Sequence, residues 1–127
     1  MEMLIVVAII AILLAIAFPT FNKQLNNARV ATDAANIRSG YAVATTKVLE
    51  GGEKPLGEGV YLQKDGNVGA EDTAYLCQGN AVYDESKNKD IIDSLGSCNL
   101  QTKEWTKGQK ILYKYNTDEG KIPANIK

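Results

Sequence analysis

Read as a string of apolar and polar positions, the chain changes character twice. Across residues 3–18 every side chain is apolar, in the run MLIVVAIIAILLAIAF, and Pro19 closes it. As a helix this run reaches about 24 Å, slightly short of a bilayer core of roughly 30 Å. A helix at the surface of a soluble core would carry a polar face, and this one has none. A cleaved signal peptide would carry basic residues ahead of the run, whereas the residue there is Glu2. The pattern predicts an N-terminal helix held in a membrane or inside other protein.

Beyond Pro19 the apolar positions thin to a stripe. Phe21, Leu25 and Ala28, then Ile37, Tyr41, Ala44 and Val48, recur at spacings of three and four. Asn22, Lys23, Asn26, Arg29, Asp33 and Lys47 are assigned to the polar face. Gly51 and Gly52, with Pro55 shortly after, supply a stop. Residues 2–50 are thus expected to form one helix, apolar all round in its first half and amphipathic in its second.

From residue 53 the pattern is short-ranged and rich in turns. Val60 to Gln63 reads as a strand, followed by the turn Lys64-Asp65-Gly66-Asn67. Ala74 to Cys77 and Ala81 to Tyr83 are further apolar pieces, and Asp90 to Leu95 reads as a short helix capped by Asp90. The clearest strand covers residues 110–115, where Lys110, Leu112 and Lys114 alternate with Ile111, Tyr113 and Tyr115. After a turn at residues 116–120, Lys121-Ile122 begins a return strand that Pro123 cuts short. The expectation is an α+β fold, a long N-terminal helix packed on a small antiparallel sheet. Its parts are an apolar helix over residues 1–19, the amphipathic half over 20–52, and a β-rich head over 53–127.

Composition narrows the chemistry. The 127 residues carry 14 Lys and Arg against 15 Asp and Glu, a formal net charge of -1. That balance argues against a nucleic-acid binder working through bulk charge. Histidine is absent, which removes every imidazole base or ligand. No nucleophile motif or Gly-rich phosphate loop is present, so neither a catalytic residue nor a cofactor is expected. Asp84, Ser86, Asn88 and Asp90 echo a calcium loop, but Lys89 replaces its glycine and Leu95 its last acid, so a solvated loop is expected and no metal. Lys103, Lys107, Lys110 and Lys114 lie near Trp105, Tyr113 and Tyr115, and a half-exposed sheet explains them better than a DNA-stacking surface, which stays a minor alternative. Residues 53–93 hold nine acids and four lysines, residues 96–127 six lysines and three acids. Such opposed sectors suit head-to-tail contact between copies, through Lys110 or Lys114.

The stretch E-M-L-I-V-V-A-I-I-A-I-L-L-A-I-A-F-P, from Glu2 to Pro19, resembles the N-terminus of type IV pilins and pseudopilins. Its features are an acid at the head, a run of aliphatic residues, and a proline seventeen positions later. In that family the mature chain starts four residues before the Glu, so three family residues and the leader are expected to be missing ahead of Glu2. The resemblance implies that the helix anchors the subunit in the membrane and then packs into a filament core. Met3, Leu4, Ile5, Val6, Val7, Ile9, Ile10, Ile12, Leu13, Leu14, Ile16 and Phe18 would form that core. Glu2 would pair with the N-terminal amine of a neighbouring subunit, and the helix would loosen at Pro19. The implied partners are further copies in a helical homopolymer, the assembly machinery, a prepilin peptidase acting on the precursor, and the membrane before assembly. The implied location is a surface filament with a membrane pool. Adhesion, twitching motility or DNA uptake would belong to the polymer. The alternatives are a pseudopilin or minor pilin of a secretion or competence system, and a membrane-anchored extracellular binding domain. Pilins often carry a disulfide in the C-terminal half, which with the even cysteine count of an exported chain favours a Cys77–Cys98 bridge over two buried thiols.

Overall fold

The computed structural model describes residues 1–51, 56–84, 88–116 and 118–127, with only the backbone at Thr20. The first helix, α1, runs unbroken from Glu2 to Gly51, a length of about 75 Å. Pro19 lies inside it, where its missing N–H leaves the Ala15 carbonyl without the usual helical donor. Gly52 and Pro55, the expected stop, lie outside the described residues.

Four short strands form the sheet: β1 (Val60–Leu62), β2 (Val68–Gly69), β3 (Ile111–Tyr113) and β4 (Ala124–Ile126). Their order is β2-β1-β3-β4, with every neighbouring pair antiparallel. The β1–β2 turn forms where the Lys64-Asp65-Gly66-Asn67 pattern places it. Asp65 Oδ1 accepts the Asn67 N–H at 3.0 Å, and Gly66 takes the left-handed φ of 87°. That bond to the Asn67 backbone holds the Asp65 carboxyl below its ordinary range. A second helix, α2 (Lys89–Asp93), has Asn88 at its N-cap position, so Asp90 sits in its first turn and does not cap it.

The sheet packs on the second half of α1, and Gly40 sets how closely. A Cβ there would lie 2.6 Å from Leu62 Cδ1 and 2.7 Å from Tyr113 Oη. Only a glycine lets β1 and β3 approach this far, and Tyr113 Oη then donates to the Ile37 carbonyl at 2.6 Å. The fold class agrees with the pattern, a long helix on a small antiparallel sheet.

Several details differ. Phe21, Leu25 and Ala28 are exposed, and contact with the head starts with Asn26 and is buried from Val30 onward. The docked stripe is Val30, Asp33, Ala34, Ile37, Gly40 and Ala44. Leu112 is buried although it alternates with the tyrosines, and the glycine at position 59 leaves room for its side chain. The return strand β4 lies after Pro123, since a proline at a strand's entrance removes no ladder hydrogen bond. Ala74 and Ala81 form single bridges, to Gln63 and Trp105.

Candidate functional site

The sequence-derived assembly residues all lie on one projecting rod. Glu2 sits in the first turn of α1 and is exposed. No side chain in residues 3–18 is buried; among the large ones, exposure runs from 45% at Leu14 to 83% at Met3. Water tolerates such a surface badly, at roughly 25 cal/mol for each Å² of apolar area. The helix is long and apolar enough to cross a membrane. Because it continues through Pro19, the uncharged stretch is longer than the apolar run, reaching from residue 3 to residue 22.

What makes the rod rigidly part of the head is a residue assigned above to the polar face. Asp33 is fully buried. Its Oδ1 accepts the Tyr75 hydroxyl at 2.6 Å and the Gln78 N–H at 2.8 Å. Its Oδ2 accepts the Gly79 N–H at 2.9 Å and the Trp105 indole N–H at 3.0 Å. A carboxylate is an acceptor only, so four donors and no competing acceptor match its chemistry. Directed neutral dipoles here replace the cation that a buried acid usually needs. Gly79 permits the approach, for a Cβ there would stand 2.9 Å from the Val30 nitrogen. The signal was present in the sequence. Residue 33 is in register with Val30 and Ile37, and helical period puts all three on one face whatever their polarity.

Asparagines extend the clamp towards the rod. The Asn26 amide donates to the Asn80 carbonyl at 3.0 Å and accepts the Asn80 N–H at 2.9 Å, imitating a strand pairing. Asn88, buried, donates to Asn27 Oδ1 at 3.0 Å and accepts the Val82 N–H at 3.1 Å. A cleft of 440 Å³ remains between Lys23, Asn26 and Asn27 of α1 and Asn80, Val82 and Asn88 of the head.

The expected Cys77–Cys98 bridge is not formed. Both are free thiols, 0% and 1% exposed, in the apolar cluster that also holds Tyr113. Closed in this way they pack as small apolar side chains. Burial, reinforced by the charge of Asp33, pushes the Cys77 thiol from 9.0 up to about 12. Burial also pushes the Tyr113 and Tyr75 hydroxyls far above their ordinary 10.0. These groups keep their protons longer folded than unfolded. Their stabilisation is therefore complete below about pH 9 and is lost as pH rises above it. In detergent solution the head's Tm should hold steady from about pH 6 to about pH 8.5 and fall steadily above about pH 9. Iodoacetamide should label both cysteines only after unfolding; a steady Tm to about pH 11, or rapid native labelling, would contradict the buried geometry.

The opposed charge sectors interleave. Lys110 pairs with Glu71 at 3.3 Å, and Lys114 lies 3.9 Å from Glu58, so both basic residues already face acids of their own chain. Lys103 sits over the Tyr83 ring at 4.4 Å. A head-to-tail contact built on Lys110 or Lys114 therefore loses its support. Of the calcium-like loop, Ser86 lies outside the described residues, and Asn88 is spent on Asn27 and Val82. Among the described residues no group of three or more metal-ligating side chains gathers.

No protein-family model matches this chain, and neither a curated protein nor a solved structure matches it.

Proposed function

We propose that the chain is a structural subunit of the type IV pilin kind, which polymerises through residues 3–18 into a surface filament. The observation that carries this reading is the division of α1 at about Asn26. Residues 3–18 are apolar on every side and headed by Glu2, while the part from Asn26 onward is locked through Asp33 to the head's loops at Tyr75, Gln78, Gly79 and Trp105. An anchor needs only hydrophobic length, and no acid at its tip. In a packed bundle of such rods Glu2 would meet a cation of a neighbouring copy, which makes its burial tolerable. The polymer, not the single chain, would then carry adhesion, motility or DNA uptake.

The test is mass spectrometry of sheared surface filaments from cells expressing the native chain or Glu2→Ala. The native chain is expected as the dominant filament species. Glu2→Ala is expected to remain in the membrane fraction with no recoverable filament. Recovery of the native chain from membranes alone would favour a pseudopilin or an anchored binding domain. Filaments unchanged by Glu2→Ala would remove the role given to that residue.

A further inference from the structure

We propose that the cleft where the rod enters the head binds the phosphate of an anionic phospholipid headgroup, in the leaflet next to the head. The inference rests on the reading that the rod occupies a bilayer before assembly.

The first support is length. Glu2 and Lys23 bracket a stretch without charge and stand 21 residues apart, about 32 Å along a helix. A hydrocarbon core is about 30 Å thick. With Glu2 at one boundary, Lys23 therefore emerges at the other, and the cleft above it lies in the headgroup layer. Phe18 and Phe21, both exposed, fall just inside that boundary.

The second support is charge. No acid occurs between Glu2 and Asp33, and Asp33 is turned inward with both oxygens occupied. Lys23 and Arg29 are exposed on α1. Lys107 is exposed at the same level, because its N–H donates to Asn80 Oδ1 at 3.0 Å while Asn80 holds Asn26. Two exposed acids stand near these three cations, Glu104 in the loop of Lys107 and Asp84 two residues past Val82 of the cleft. Such a cluster at the edge of an apolar span attracts an anionic surface.

The third support is the cleft itself. It is lined by Lys23, by the four asparagines Asn26, Asn27, Asn80 and Asn88, and by Val82. Each amide nitrogen carries two hydrogens, and the half-buried Asn26 spends one on the Asn80 carbonyl, while the buried Asn88 is committed to Asn27 and Val82. Amide N–H groups beside one ammonium fit a phosphate diester, which offers acceptors and a single negative charge.

The experiment uses the full chain in vesicles of pure phosphatidylcholine or of phosphatidylcholine with phosphatidylglycerol. Flotation first establishes insertion. Amine acylation is then read by peptide mass spectrometry at Lys23 and Lys107, with Lys121 and Lys127 as internal references. The expected result is insertion into both vesicles, with Lys23 and Lys107 protected about fivefold more than the references when phosphatidylglycerol is present. That protection should collapse near 1 M salt, where screening acts over about 3 Å. Asn27→Asp keeps the acceptor for Asn88 but puts a negative charge in the cleft. It should float normally and lose the protection. Equal protection in both vesicle types, or protection unchanged in Asn27→Asp, overturns the headgroup site and leaves the membrane reading intact. A chain that enters neither vesicle overturns both.

Discussion

Replacing Asp33 by alanine should cost the head about 3–5 kcal/mol, a large share of the roughly 5–15 kcal/mol that holds a domain of ordinary stability. Four donors lose their acceptor at once: the hydroxyl of Tyr75, the N–H groups of Gln78 and Gly79, and the indole of Trp105. Each buried donor left unsatisfied costs about 1–3 kcal/mol, and partial relaxation keeps the sum below four full penalties. Asp33→Asn should recover only part of the loss, because its amide nitrogen would point a donor at other donors. The chain has a single tryptophan, in contact with residue 33, so its fluorescence in denaturant reports the loss directly. A cost below about 1 kcal/mol would mean that water reaches the site and replaces the carboxylate. The rod should keep its helix in either case, since residues 3–18 receive no support from Asp33.

Trp105→Ala should rank second, at about 3–5 kcal/mol, for it empties one of the largest fully buried side chains and removes one donor from Asp33. Its backbone pairs with Ala81, so the bridge between the two loops would also lose its anchor. Hydrogen exchange at the Gln78 and Gly79 amides provides the measurement, and exchange there should approach that of open loops. The double variant with Asp33→Ala should fall short of the two single costs added, by about 1–2 kcal/mol, since one hydrogen bond is counted in both. Strict additivity would show that Trp105 acts through packing alone.

These two residues also show where reading the chain as a pattern fails. Asp33 has the helical register of Val30 and Ile37, yet its charge placed it on the solvent face. The donors that reverse this assignment lie 42 to 72 positions away in sequence. Nothing local announces that Tyr75, a bend at Gln78 and Gly79, and Trp105 will converge on one point. Phe21 and Leu25 fail in the opposite sense. Their spacing makes a stripe, but a stripe states only that some apolar partner exists, and the head begins just past them. The cysteine bridge failed for a related reason. An even count and an export setting say nothing of whether a closed core leaves two thiols unoxidised.

The sequence by itself determined the long helix, its apolar first half, the placement of β1 and β3, and the antiparallel α+β class. Each rests on periodicity or turn chemistry within a few residues, which a linear pattern contains in full. Only the tertiary structure decided which stripe of α1 docks, that an acid stands at its centre, and that basic and acidic sectors interleave. Those outcomes depend on donors and counter-charges brought together from distant positions. Burial of a polar group is favourable only when all of its partners arrive together.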